Sequence, residues 1–297
     1  MSTAKIGFIG LGLMGEAMAG CLQGAGYAVT GLANRDRTGI DKVLERGGAE
    51  AENGRALAEG SDIVMLCVGT SDQVESRIYG DDGVLAGARD GLVVIDFGTS
   101  LPSSTLQIGA DLAEKGAAYL DAPLGRTPAH AKDGLLNIMC AGDRAAFDSV
   151  KPVLDVLGEN VFHLGKLGNG HTIKLINNFY AMTTACAMAE AFAMADAADI
   201  ERQALYDVIA AGPNHSGMMD FIKNYAIGGQ IDLAFSAANG CKDVGYYAAM
   251  AEDLGKQSRM SVAALGTLTE VRDGGSGDLM VPQITDWMVA NLGKPKS

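Results

Sequence analysis

Hydrophobic and polar positions along the chain follow two regimes that meet near residue 165. Before that point short apolar runs recur at Lys5-Ile6-Gly7-Phe8-Ile9-Gly10, Tyr27 to Thr30, Ile63 to Val68, Leu92 to Asp96 and Ala118 to Asp121. Runs of this length, rich in Val and Ile and bounded by Gly, Asn or Asp, predict strands. Helix-compatible stretches lie between them, at Met14 to about Ala25, Gly39 to Arg46 and Ser103 to Lys115. Strands alternating with helices predict an α/β domain over residues 1–164, built on a doubly wound parallel sheet. Leu136 to Cys140 and Val161 to Leu164, on either side of a helical pattern at Asp143 to Leu157, extend that sheet.

From Gly165 onward strand signals nearly vanish and Ala, Met and Leu dominate, which predicts a second, all-helical domain over residues 165–297. Gly170 to Asp196 reads as one helix of roughly 40 Å, long enough to bridge domains. Its Ala and Met occupy several faces, so it is expected to pack against other helices or a second subunit, in a homodimer or homotetramer. The tail Gly293-Lys294-Pro295-Lys296-Ser297 reads as disordered.

Composition narrows the function classes. The 297 residues carry 23 Lys and Arg against 36 Asp and Glu, a formal net charge of −13. Such a field disfavours a nucleic-acid partner, and it obliges any anionic ligand to find local donors. Apolar runs fall well short of the roughly 20 residues that span a bilayer, and the N-terminal text leads into a strand rather than a signal peptide. A cytoplasmic protein with no membrane partner is therefore expected. Five scattered cysteines in apolar surroundings suggest buried thiols rather than disulfides or a metal site.

The most specific local motif is Gly10-Leu11-Gly12-Leu13-Met14-Gly15, which follows a predicted strand and opens a predicted helix. In that context Gly10 allows the tight turn, Gly12 lets a pyrophosphate approach the backbone, and Gly15 lets helix and strand pack closely. NAD and NADP are distinguished at the end of the second strand, where an acidic residue serves the ribose 2′-hydroxyl. The text there is Leu32-Ala33-Asn34-Arg35-Asp36-Arg37-Thr38. Asn34, Arg35 and Arg37 suit a 2′-phosphate, which favours NADP(H); Asp36, one register step away, keeps NAD(H) open. Val68, at the end of the Ile63 run, is a further cofactor-contact candidate.

These features, taken with three later blocks, give a resemblance that covers nearly the whole chain. Asp121-Ala122-Pro123-Leu124, Gly168-Asn169-Gly170 with Lys174-Leu175-Ile176-Asn177-Asn178, and Lys242-Asp243 occur in the order and spacing of the β-hydroxyacid dehydrogenases. The chain resembles that family, in which a Rossmann domain and a helical domain frame a cleft and a hydride moves between nicotinamide and a small hydroxy acid or semialdehyde. The resemblance implies that Lys174 is the catalytic acid/base. Hydride delivery to a carbonyl leaves an alkoxide that needs a proton, and a desolvated lysine suits that task. Asn177 and Asn178, three and four residues on, share its face wholly or in part; the family pattern gives the substrate contact to Asn178.

The resemblance also places Lys242 at the substrate or cofactor, although an ordinary surface pair with Asp243 is the alternative. It sets Thr99 near the nicotinamide, where Gly98 replaces the usual serine. Most members carry Ser-Gly-Gly where this chain has Gly125-Arg126-Thr127. That departure is similar to the sulfolactaldehyde reductase branch and implies that Gly125, Arg126 and Thr127 bind a small anionic substrate; a mere salt bridge at Arg126 is the alternative. Three functions follow: reduction of sulfolactaldehyde to 2,3-dihydroxypropane-1-sulfonate, reduction of a carboxylate semialdehyde (tartronate, methylmalonate or succinate), or a non-catalytic nucleotide-binding module.

Overall fold

The computed structural model describes residues 4–293; Lys294 to Ser297, in the tail expected to be disordered, lie outside them. The chain divides into two compact units, Met1–Lys174 and Leu175–Ser297.

The first unit runs β1 (Lys5–Ile9), α1 (Leu13–Gly24), β2 (Ala28–Leu32), α2 (Thr38–Glu45), β3 (Ala49–Ala51), α3 (Gly54–Gly60), β4 (Ile63–Leu66), α4 (Ser71–Ile78), β5 (Val93–Asp96), α5 (Pro102–Ala113), β6 (Ala118–Asp121), β7 (Leu124–Gly125), α6 (Pro128–Lys132), β8 (Leu136–Gly142), α7 (Arg144–Leu157) and β9 (Gly158–His163). The strand order is β3-β2-β1-β4-β5-β6-β8-β7, with β9 beside β8. Pairing is parallel from β3 to β6, as the alternation of strands and helices requires. The extension departs from expectation in direction: β8 runs antiparallel to β6 and β7, and only β9 returns parallel to it.

Both faces of the parallel sheet are covered, which explains why its strands read as unbroken apolar runs. Successive side chains point to opposite faces, so Ile63, Met65, Val93 and Ile95 join Ile6 and Phe8 in one core layer, while Val64, Leu66 and Val94 join Ile9 in the other. Phe8 is fully buried, and removing a side chain of this kind from water contributes about 1.5–3 kcal/mol.

Register aligns the carboxyl ends of these strands. Ile9 pairs with Leu32 and Leu66, Leu66 with Asp96, and Asp96 with Asp121. The segments that leave them, beginning at Gly10, Ala33, Cys67, Phe97 and Ala122, therefore emerge along a single edge. Ligands of doubly wound sheets bind at that edge, at the point where the strand order reverses, here between β1 and β4.

One helix, α8 (Asn169–Ala197), starts in the first unit and continues into the second as a single 29-residue element. The second unit then holds α9 (Arg202–Ala210), α10 (Gly217–Gly228), α11 (Ala237–Asp253), α12 (Met260–Val271) and α13 (Ile284–Asn291). Its core is a separate cluster that includes Phe192, Ile222, Val244, Leu268 and Val271. Among the described residues its β-structure amounts to an isolated bridge between Ser236 and Met280. No helix among the described residues is long and apolar enough to cross a membrane. The five cysteines are free thiols, and burial pushes Cys140 and Cys186 up to about 12.

Candidate functional site

The glycine motif forms the turn that the sequence requires. Gly10 has φ +90°, and a Cβ there would lie 2.3 Å from the Cys67 carbonyl oxygen. Only glycine is comfortable in that conformation and that space. A Cβ on Gly15 would lie 2.0 Å from the Gly10 oxygen and 2.9 Å from the Phe8 ring, so α1 rests directly on β1. Gly12 is different. It is the N-cap residue of α1, and a Cβ there would meet no atom within 4 Å. The open space above it suits a pyrophosphate approaching the helix N-terminus.

A cavity of about 160 Å³ opens beside this turn, with Gly10, Gly12, Asn34, Asp36, Val68 and Arg77 on its wall. These residues fit the adenosine end of a dinucleotide: glycine backbone for the phosphates, and polar side chains at the end of β2 for the ribose. Leu11 also lines it, Met14 packs into the core beneath, and Leu13 points to solvent.

The basic residues after β2 do not act as a set. The Arg37 guanidinium is committed to Glu50 on β3, through bonds of 3.0 and 2.8 Å, with Asp41 3.4 Å away. Arg37 is therefore removed from the phosphate-binding group expected from the sequence, because its partner carboxylate sits on a neighbouring strand. Arg35 is exposed and makes no ion pair or hydrogen bond among the described residues. Asp36 accepts a hydrogen bond from the Thr38 N–H at 2.9 Å, and Thr38 holds its carboxyl below the usual range. Arg77, near the end of α4, was not foreseen; it lines the cavity and likewise has no polar partner among the described residues.

The segment after β6 presents Gly125, Arg126 and Thr127 together. Arg126 adopts φ +78°, a left-handed conformation that costs a non-glycine residue roughly 1–2 kcal/mol. This accounts for the glycine of the Ser-Gly-Gly pattern at this position. Its Nη1 donates to the Leu135 carbonyl at 2.7 Å and pairs with the Glu159 carboxylate on β9. The salt bridge is thus formed, and Nε and Nη2 are the edge without a protein acceptor among the described residues. Thr127 sits at the N-cap position of α6, and its hydroxyl lies 2.8 Å from His130 Nδ1.

Thr99 leaves β5 half-buried, beside Gly98, whose N–H donates to Asp96 Oδ1 at 2.7 Å. A Cβ on Gly98 would lie 2.9 Å from that same oxygen, so the carboxylate occupies the room a serine would need.

Lys174 lies on the second turn of α8 and is half-buried. One turn on, the two asparagines separate: Asn177 is exposed and Asn178 is 8% exposed. In the second unit, Asn178 Nδ2 donates to Asp243 Oδ2 at 2.6 Å, and Asn178 Oδ1 accepts from Asn177 Nδ2 at 3.3 Å. Asp243 Oδ1 lies 2.9 Å from Lys242 Nζ. A buried carboxylate thus orients both Asn178 and Lys242, a role that the adjacent pair Lys242-Asp243 did not reveal in sequence.

Two family models match the chain. One, described as the NAD binding domain of 6-phosphogluconate dehydrogenase, covers residues 5–165. The other, described as the NAD-binding of NADP-dependent 3-hydroxyisobutyrate dehydrogenase, covers residues 168–285. The 2-(hydroxymethyl)glutarate dehydrogenase of Eubacterium barkeri is 30% identical over 272 residues, which is 91% of this chain and 89% of that protein. The 2-hydroxy-3-oxopropionate reductase of Escherichia coli K12 is 35% identical over 207 residues, 68% of this chain and 70% of that protein. Among solved structures, 3-hydroxyisobutyrate dehydrogenase from Salmonella typhimurium superposes with a TM-score of 0.81 at 27% identity, over 96% of this chain and 99% of that chain.

Proposed function

Because the chain belongs to the 3-hydroxyisobutyrate dehydrogenase-like family of β-hydroxyacid dehydrogenases, we propose that it reduces a small anionic semialdehyde with NADPH, using Lys174 as the proton donor. The reading rests on Lys174 and Asn178 one turn apart on α8, in a chain that also carries the glycine cradle for a dinucleotide. A binding module would have no need of that lysine.

When bound, the nicotinamide supplies the hydride. The protein's own work is to hold the dinucleotide at the Gly10 to Gly12 turn, to orient the carbonyl, and to protonate its oxygen. The Lys174 ammonium gives that proton as negative charge develops on the oxygen, and it takes the proton back when the alcohol is oxidised. Asn178, its amide fixed by Asp243, can hydrogen-bond the same oxygen without first having to be ordered. Thr99 lies on the loop held by Asp96, and Lys242 is held by Asp243; each is a candidate contact to cofactor or substrate. Residues 1–164 act as the dinucleotide domain and 165–297 as the helical domain in this scheme, in keeping with the limits of the two family models.

Arg126 supports 3-sulfolactaldehyde as the substrate, with 2,3-dihydroxypropane-1-sulfonate as the product. Its Nε and Nη2 edge, the Thr127 hydroxyl and the loop amides together offer donors to the three oxygens of a sulfonate. A second reading is favoured by the engagement of Nη1 with Glu159 and Leu135: Arg126 would then be a strut, and the substrate a carboxylate semialdehyde, in line with the names of the 2-hydroxy-3-oxopropionate and 2-(hydroxymethyl)glutarate enzymes. The deciding experiment compares 3-sulfolactaldehyde with tartronate, methylmalonate and succinate semialdehydes, each with NADPH and NADH. A sulfonate preference of roughly tenfold or more in kcat/KM, reduced by Arg126→Gly, supports the first reading; a charge-assisted hydrogen bond is of that size. A carboxylate preference in the parent enzyme establishes the second. Fluorescence titration with both reduced cofactors tests the choice of NADPH, which falls if NADH binds more tightly and Arg35→Ala leaves NADPH binding unchanged.

A further inference from the structure

The first unit contains a buried polar cluster that the proposed chemistry does not use. Asp96 and Asp121 end the neighbouring strands β5 and β6, directly opposite each other in register, and both are fully buried. The His171 ring, also fully buried, lies beside them. Its Nδ1 is 2.7 Å from the Thr105 hydroxyl, and its Nε2 is 3.6 Å from Asp96 Oδ2 with no hydrogen-bond partner. The Thr105 hydroxyl also lies 3.1 Å from the Leu101 carbonyl, so it ties the ring to the start of α5.

The first turn of α8 is fastened to this cluster at three points. Asp121 Oδ1 accepts from the Gly168 N–H at 2.8 Å and Oδ2 from the His171 N–H at 2.7 Å. These are the N–H groups that a helix start leaves without a partner, and here a strand supplies the cap because Gly168 has no side chain. Gly170 forms the second point: a Cβ there would lie 2.3 Å from the Met139 carbonyl oxygen and 2.8 Å from Asp121 Oδ2, so backbone and carboxylate are pressed together. The His171 ring is the third, and it reaches α5 through Thr105 and the Phe97 to Ser100 loop through Asp96, whose oxygens also take the Gly98 N–H and the Ser100 hydroxyl. Burial pushes the Asp121 carboxyl up, against the opposing pull of His171 and the two N–H groups.

Lys174 follows His171 by three residues, on the turn that continues from this anchored start. We propose that His171 is a positioning residue for Lys174: it fixes the rotation of the α8 start against α5 and the Thr99 loop, and so sets where the Lys174 ammonium is held. The proposal rests on the reading of Lys174 as the proton donor, and its test separates the two. Asparagine keeps a polar atom at the place of Nδ1, within reach of Thr105, glutamine keeps one at the place of Nε2 only, and leucine keeps neither.

The full-length protein is reductively methylated with ¹³C-formaldehyde, and the dimethyl-lysine signal of Lys174, identified by its loss in Lys174→Arg, reports the position without any turnover. In parallel, kcat and KM are measured with NADPH, using 3-sulfolactaldehyde and tartronate semialdehyde as probes. In His171→Leu the Lys174 signal moves and kcat falls roughly tenfold to a hundredfold, the scale of a misplaced catalytic group, while KM and NADPH affinity stay within about twofold. His171→Asn restores most of kcat and the parent signal; His171→Gln does not. An unmoved signal with unchanged kcat in His171→Leu overturns the proposal. If that variant does not fold, equal signals and equal kcat in His171→Asn and His171→Gln overturn it instead. A moved signal with unchanged kcat upholds the positioning by His171 and removes Lys174 from the proton transfer.

Discussion

Replacing Gly12 by alanine separates ligand binding from folding, because the structure assigns the two glycines flanking Met14 and Leu13 opposite constraints. A Cβ on Gly12 meets no protein atom within 4 Å, and its φ of −73° is one that alanine adopts freely. Losing a flexible glycine from the unfolded chain stabilises by about 0.4–1 kcal/mol where the native conformation is compatible. Alanine is a poorer N-cap than glycine, which offsets that gain. The net change in stability should be near zero, with Tm moving by no more than about 2 °C. If the pyrophosphate lies against this backbone, the added methyl occupies its path, and cofactor affinity should fall about tenfold or more, equivalent to ~1.4 kcal/mol. Gly15→Ala should do the reverse in kind. Its Cβ would lie 2.0 Å from the Gly10 oxygen, and overpacking of about 1–3 kcal/mol should lower Tm by several degrees whether or not cofactor is present. Calorimetry and fluorescence titration with NADPH measure both quantities. Gly12→Ala binding NADPH within about twofold of the parent would refute the placement of the pyrophosphate, and a Tm loss as large as that of Gly15→Ala would show that Gly12 serves the fold instead.

Two further outcomes follow from the charged contacts. Glu159→Gln should release Arg126 Nη1 from its carboxylate partner and lower KM for an anionic aldehyde severalfold, whereas Arg126→Gly should raise it; unchanged KM in both variants would make Arg126 a strut. Glu16 on α1 is held below the usual carboxyl range: burial alone would raise it, but the Arg46 hydrogen bond and the Lys42 and Arg46 charges outweigh that effect. A carboxyl lowered on folding contributes stability above its unfolded pKa and loses it as pH falls through the folded value. Glu16→Gln should therefore lower Tm by roughly 1–3 °C at pH 7, with the loss shrinking as pH falls through the folded value; a loss that does not change with pH would show a packing effect.

Much of this architecture was legible because burial on both faces leaves an unmistakable trace. Strands β1, β4, β5 and β6 are nearly continuous apolar runs, and their spacing alone implied the parallel sheet. Elements that bury little left no such trace. Strand β3 exposes Ala49 and Glu50 at the sheet edge, and α4 buries little beyond Val74 and Ile78 among polar neighbours, so neither stood out. Two site features went with them: the Glu50 that engages Arg37, and Arg77 on the cavity wall. The reversed direction of β8 is equally invisible, since hydrophobic alternation carries no polarity. Motif glycines were readable at Gly10 and Gly15 because a strand-turn-helix context fixes their use. The cluster of Asp96, Asp121 and His171 was not, because it depends on strand register and joins His171 to carboxylates 50 and more positions away. Asp243 was hidden for the same reason: its partner Asn178 lies 65 positions away.

Lys174→Ala is the sharpest test of Lys174 as the proton donor in hydride transfer. Turnover with NADPH and the preferred aldehyde is measured beside NADPH affinity in the same preparation. The phosphate cradle is formed by β1, α1 and β2, to which Lys174 contributes nothing, so the variant should bind NADPH within about twofold of the parent. Its kcat should fall roughly 10²–10⁴-fold, the range lost with a general acid/base. A Lys174→Ala enzyme that binds cofactor and turns over at nearly the parent rate would remove Lys174 from the proton transfer.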